Sequence, residues 1–179
     1  GLAAKLVSPE KTDLILDVCA APGGKTAFMS ELMNNEGKII AVDKYLSRIE
    51  VMNRNLERLG VKNAETIHDD ISEPKSVLLK ETLIGKADKI LVDAPCSGLG
   101  VLSKKPDIKW KREIEDIMKL QTLQLEILEN SVKYLKPGGV IIYSTCTMET
   151  EENMDVVKLF LEKNKNFEIE NAGKFVSEK

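Results

Sequence analysis

Short apolar runs of four or five residues, some enclosing one charged residue, alternate along the chain with longer segments whose apolar positions recur every three or four residues. A short run suits a strand covered on both faces, and the three-to-four spacing suits a helix with one apolar stripe. The runs predict strands at residues 14–18, 38–42, 64–67, 89–92 and 140–143, and a weaker sixth at 167–170. Between them, Leu46, Ile49, Met52, Leu56 and Leu59 form one stripe, closed by Gly60 at the position of a helix C-cap. Ile114, Ile117, Met118, Leu125, Leu128, Val132 and Leu135 form a longer one, stopped by Lys136-Pro137-Gly138-Gly139. Strands alternating with helices predict an α/β, Rossmann-like fold with a mostly parallel sheet and helices on both faces. No repeat, low-complexity tract or Gly/Ser/Pro-rich linker divides the sequence, so residues 1–179 are read as one domain.

Composition narrows the chemistry. With 42% hydrophobic and 31% charged residues, 179 residues can form a core that buries roughly 70% of the unfolded surface. No apolar run approaches the ~20 residues of a membrane helix, and the start lacks the basic-then-apolar order of a leader. A cytoplasmic protein without membrane contact is expected. Three widely spaced cysteines and a single histidine, His68, make a disulfide framework, a metal site, a Ser-His-Asp triad and an H-E-x-x-H protease poor readings. His68 itself reads as a structural residue. A formal charge of −3 speaks against nucleic-acid binding by bulk charge, though not against local basic patches.

Ligands of open α/β sheets bind outside the carboxyl ends of the strands. The first such handover is Cys19-Ala20-Ala21-Pro22-Gly23-Gly24-Lys25-Thr26, where small residues and two glycines let backbone N–H groups approach a ligand at a helix start. Gly24-Lys25-Thr26 imitates the end of a P-loop, but Cys19 stands where that motif needs glycine and Pro22 removes a donor. The G-x-G-x-x-G of an NAD site is absent as well. A third reading is an S-adenosyl-L-methionine loop that wraps an amino acid rather than a pyrophosphate. Asp43 lies 20 residues beyond Gly23, where an acidic side chain grips ribose hydroxyls or caps the next helix. Asp69 and Asp70 follow the third strand and read either as adenine contacts or as a solvated turn.

Two further handovers carry thiols: Asp93-Ala94-Pro95-Cys96-Ser97-Gly98 and Ser144-Thr145-Cys146-Thr147. Free cysteines usually pack as small hydrophobes, but two of them at one sheet edge suggest covalent chemistry. Beside a methyl donor, that chemistry would be methyl transfer to a carbon too electron-poor to attack unaided, such as C5 of cytosine.

At these residues the chain resembles the Sun/Fmu-type RNA (cytosine-5)-methyltransferases. Their motifs D-x-C-A-A-P-G-G-K-T, D-A-P-C-S-G and S-T-C stand here as Asp17 to Thr26, Asp93 to Gly98 and Ser144 to Cys146. Pro106-Asp107-Ile108-Lys109-Trp110, Gln121 with Leu125, Lys136-Pro137-Gly138-Gly139 and Glu151-Glu152-Asn153 follow the family's order and spacing. The resemblance implies a class I methyltransferase fold, S-adenosyl-L-methionine as cofactor, and rRNA or tRNA as substrate. It implies that Cys19, Ala20, Ala21, Pro22, Gly23, Gly24 and Lys25 hold the methionine part, Asp43 the ribose and Asp70 the adenine side. Asp93 would lie beside both methyl donor and cytosine. Cys146 matches the family nucleophile and Cys96 its partner thiol for product release. The resemblance also leads us to expect a catalytic domain without its RNA-binding module and a last segment.

Chemistry runs parallel to that likeness. A Cys146 thiolate adding to cytosine C6 makes C5 nucleophilic, Asp93 would share a proton near N3, and Cys96 would take the C5 proton. The base must leave its stack to reach these groups. Lys104, Lys105, Lys109, Lys111 and Arg112 with Trp110 read either as a phosphate-tracking edge with a stacking ring or as a solvated face over a core tryptophan. Two other functions remain open at this point: methylation of DNA or protein, and a non-catalytic ribosome-assembly factor on the same fold.

Overall fold

The computed structural model describes residues 1–73, 83–101 and 114–175. Five strands, β1 (Leu14–Val18), β2 (Lys38–Asp43), β3 (Ala64–His68), β4 (Ala87–Asp93) and β5 (Leu135–Ser144), form one sheet in the order β3-β2-β1-β4-β5. Every neighbouring pair is parallel. Chain order reverses beside β1, which is the topological switch point where such sheets open a ligand crevice.

Alternation along the strands divides the core in two. Leu16, Val18, Ile40, Val42, Ile90 and Val92 face a cluster with Ile127 and Leu128 of α4 (Ile114–Ser131) and Val156 and Phe160 of α5 (Met154–Lys163). Ile15, Ile39 and Leu91 face the other side, where Ala4 of α1 (Leu2–Leu6) and Met29 of α2 (Gly24–Leu32) cover them. Ala41 packs there against Ile49, Met52 and Leu56 of α3 (Leu46–Arg58). β1, β2 and the centre of β4 are buried on both faces, which is why they read as continuous apolar runs. No helix among the described residues is long and apolar enough to cross a membrane.

The structure corrects the pattern in four places. Residues 167–170 form no strand: Phe167 packs edge-on against Phe160 at a centroid distance of 5.2 Å, and Ile169 is exposed. The long stripe ends earlier than its apolar spacing suggests, because α4 stops at Ser131, Val132 lies in a short 3₁₀ turn and Leu135 opens β5. Lys136-Pro137-Gly138-Gly139 is an irregularity within β5, where pairing passes from Ala87–Leu135 to Lys89–Val140. Leu46, Leu59 and Met118, counted into stripes from the sequence, are exposed. The basic run at residues 104–112 with Trp110 lies outside the described residues.

Candidate active site

The first loop is built by its own side-chain neighbours. Cys19 leaves β1 with φ +61, and Gly23 caps α2 with φ +93. A side chain at Gly23 would be strained there, and its Cβ would meet Met52 Cγ at 2.8 Å. Ala21 N–H donates to Asp43 Oδ2 at 3.1 Å, Arg48 donates to the Ala21 carbonyl at 2.5 Å, and Asn55 donates to the Pro22 carbonyl at 2.9 Å. Thr26 donates from inside α2 to Asp17 Oδ2 at 2.6 Å. The loop is therefore tied to α3 and to the strand that precedes it.

Asp17 is fully buried at the end of β1, and its Oδ1 has no hydrogen-bond partner among the described residues. Burial pushes its carboxyl up to about 7. The Thr26 hydrogen bond and Lys25 oppose that rise, while Asp93 and Asp43 add to it. The same burial, together with Asp43, Asp17 and Asp93, pushes the Cys19 thiol up to about 12. Cys19 is a protonated wall group and not a nucleophile.

Asp43 closes β2 as expected. Its Oδ1 accepts from Tyr45 N–H at 3.1 Å and its Oδ2 lies 3.4 Å from Arg48 Nη1, so it also fixes the entry to α3. Asp70 accepts from Ser72 and pairs with Lys44 at 2.7 Å. Burial raises this carboxyl, but the Lys44 and Ser72 hydrogen bonds outweigh it and hold it below the usual carboxylate range. His68 binds the Lys44 carbonyl at 2.9 Å, a structural role.

Asp93 and Ser144 are the last paired residues of β4 and β5, so the two thiol loops leave the sheet side by side. Cys96 Sγ lies 2.7 Å from Cys146 Sγ, and Cys146 N–H donates to Cys96 Sγ at 3.2 Å. Both are free thiols, Cys146 exposed and Cys96 half-buried. Burial, then the Cys146 sulfur, push Cys96 up to about 12. Asp93 accepts on both oxygens, from Lys25 Nζ at 2.5 Å and from Ser144 Oγ at 2.8 Å.

One cavity of about 270 Å³ collects these groups. Cys19, Ala21, Asp43, Asp70, Asp93, Cys96 and Cys146 all line it, beside an apolar wall that includes Ile71, Leu123 and Ile127. Ala20, Pro22, Gly23, Gly24 and Lys25 do not line it; Lys25 reaches the site through Asp93. Beyond the apolar wall, the lining residues not singled out from the sequence include Lys44, Tyr45 and Arg48. Their signal was proximity to Asp43: Lys44 and Tyr45 stand just before α3 and Arg48 in its first turn. A carboxylate at one strand end, a pair of touching thiols at two others and a glycine-containing loop beside them can hold a nucleoside-like ligand and perform nucleophilic addition next to it.

Residues 4–178 match the family model described as 16S rRNA methyltransferase RsmB/F. Ribosomal RNA small subunit methyltransferase B of Shewanella oneidensis is 46% identical over 89% of this chain and 36% of its own length. The tRNA (cytosine(72)-C(5))-methyltransferase of Pyrococcus horikoshii is 38% identical over 93% of this chain and 41% of its own. Among solved structures, NSun6 from Pyrococcus horikoshii with SFG superposes with a TM-score of 0.79 and 38% identity, covering 90% of this chain and 40% of that one. The chain thus spans well under half the length of these relatives.

Proposed function

We propose that this chain, which belongs to the 16S rRNA methyltransferase RsmB/F family, methylates C5 of a cytosine in RNA, using S-adenosyl-L-methionine and a covalent link from Cys146 to cytosine C6. An rRNA or tRNA is the substrate class that the relatives' names support, and the cytoplasm is the proposed place of the reaction. The observation that carries the reading is the 2.7 Å thiol pair standing on the wall of the same cavity as Asp43 and Asp93.

The donor set fits the cofactor. Asp43 would hold the ribose hydroxyls, Asp70 the adenine side and the Cys19-to-Lys25 loop the methionine part. Lys25, held on Asp93, would sit between the loop and the reacting atoms. When bound, S-adenosyl-L-methionine supplies an electrophilic methyl group on a sulfonium.

Cys146 is the more exposed thiol and the one a splayed base can reach. At rest the Cys96 S–H can donate to the Cys146 sulfur. The Cys146 thiolate forms a bond to C6, and the electron pair of the C5–C6 double bond becomes available at C5. Asp93 would relay a proton to N3 as the ring takes up the electron pair, with the Lys25 ammonium on its Oδ2 as the proton source within reach. After C5 is methylated, its proton must leave so that the C6–S bond can break. Cys96 would take it, its own proton passing first to solvent. Once Cys146 is a thioether, the hydrogen bond that is the second cause of Cys96's raised pKa weakens, which favours this role, while burial, the larger cause, remains.

The two thiols therefore have opposite failure modes. With cofactor and RNA, Cys96→Ala is expected to leave protein and methylated RNA joined as a slow band on a denaturing gel. Cys146→Ala is expected to give no band and no turnover. A band with Cys146→Ala would exchange the roles. Full activity of both variants without any band would refute covalent catalysis. Bisulfite sequencing of RNA from cells with and without the gene identifies the cytosine.

A further inference from the structure

One short turn holds both thiol loops. Glu152 ends a 3₁₀ turn (Thr150–Glu152) and is completely buried. Its Oε1 accepts from Ser97 N–H at 2.9 Å and from Gln124 Nε2 at 2.9 Å, and its Oε2 accepts from the Ser97 hydroxyl. Gln124, equally buried, also donates to the Pro95 carbonyl at 2.9 Å. Pro95 and Ser97 flank Cys96, so the Cys96 loop is fixed on both sides.

The next residue does the same for the other thiol. Asn153 accepts from Thr145 Oγ1 at 2.5 Å and donates to the carbonyls of Thr147 at 3.1 Å and Glu149 at 2.8 Å. Thr145 and Thr147 flank Cys146. A 3.2 Å bond between the Ser97 and Thr147 hydroxyls joins the two halves. Glu152 forms no ion pair among the described residues; its partners are all hydrogen-bond donors, which suits an acceptor-only carboxylate. Leaving such a group in the interior is costly unless every bond is made. Ordinary packing would place an apolar residue here.

We propose that Glu152 and Asn153 are a positioning pair, one residue for each thiol, with Glu152 governing the release step through Cys96 and Asn153 governing the addition step through Cys146. This rests on the reading of the two thiols given above. Neither residue touches the reacting atoms.

The test uses the purified chain and two variants. Glu152→Gln keeps one acceptor oxygen and puts an amide where the other stood, so either the Ser97 hydroxyl turns to Thr147 and accepts from the amide, or the amide faces Ser97 N–H and Gln124; both weaken the hold on the Cys96 loop. Misplacement of about 1 Å costs roughly 100-fold in a reacting pair. Glu152→Gln is expected to keep the addition step and slow release about 10- to 100-fold, so that the covalent protein–RNA band accumulates as in Cys96→Ala. Asn153→Ala is expected to lose the band, as in Cys146→Ala.

A second measurement needs neither RNA nor cofactor. A short bis-alkylating reagent should bridge Cys96 and Cys146 in the parent chain and do so more slowly in both variants. Single alkylation of Cys146 should change chiefly in Asn153→Ala. Glu152→Asp, which keeps the acceptors, should restore part of the bridging. If Glu152→Gln does not fold, Ser97→Ala removes one of the same bonds and should show the same bias more weakly. Equal loss of both steps, in proportion to a drop in melting temperature, would overturn the assignment, and so would bridging rates unchanged from the parent. Normal bias in bridging with full turnover in Cys146→Ala would instead overturn the covalent mechanism and leave the clamp standing.

Discussion

Replacing Asp17 by Asn should make the protein more stable, and increasingly so as the pH rises. The carboxyl is completely buried, one oxygen has no partner among the described residues, and its pKa rises from 3.8 to about 7. A folded-state pKa above the unfolded one means that the native state holds the proton more tightly. The stabilisation is complete below 3.8, is lost progressively between 3.8 and about 7, and is gone above that. At ~1.4 kcal/mol per pH unit across that interval, the ionised side chain costs the fold about 4 kcal/mol at pH 8. Asparagine is neutral throughout and nearly the same shape, so its own burial adds only a pH-independent offset. Urea unfolding of both proteins at pH 5, 6, 7 and 8 measures the difference directly. It should climb by roughly 1 kcal/mol per pH unit to pH 7 and then level. A difference that stays constant with pH, or that shrinks, would show that Asp17 is not held protonated and that the buried end of β1 is solvated in a way its surroundings do not indicate.

Two other substitutions probe the site itself. Gly100→Ala should abolish turnover while sparing cofactor binding in calorimetry, because the new Cβ would meet the Cys146 carbonyl at 2.7 Å and Thr147 Cα at 3.3 Å, backbone that cannot yield without moving the thiol. Asp43→Ala should weaken S-adenosyl-L-methionine binding by about 1–3 kcal/mol; part of that loss is conformational, since Ala21 N–H and Tyr45 N–H lose their acceptor, and calorimetry with adenosine alone should show a smaller deficit.

What the sequence disclosed followed from periodicity and from local backbone demands. Runs such as Ile39-Ile40-Ala41-Val42 could only be strands buried on both sides, and Gly23 announced a turn that few other residues tolerate. Cys96 and Cys146 were legible as a pair because each follows a strand end. Residues 167–170 misled because Phe167 and Ile169 alternate like strand residues; hydrophobic alternation specifies a face but supplies no hydrogen-bonded neighbour, and the ring found Phe160 instead. Glu152 and Gln124 stayed without a role for the opposite reason. Both are polar types that belong on surfaces, and only the assembled loops around Cys96 reveal the donors that make them interior residues.

The pairing of Asp93 with Ser144 has a consequence for how such a site can be inherited. Cys96 stands three positions after one member and Cys146 two after the other, so the gap between the sulfurs is measured off along adjacent rungs of a ladder and not along the fifty residues that separate them in the chain. Ser97, Gly100 and Gln124 brace the two loops from within that stretch, but the ladder sets where the loops start. Residues outside those contacts can change without altering the spacing of the sulfurs. Slippage of β5 by a single residue, by contrast, would carry one thiol about 3.3 Å past the other, so descendants of this fold are free to vary what they recognise but not the alignment of the two strands that present the thiols.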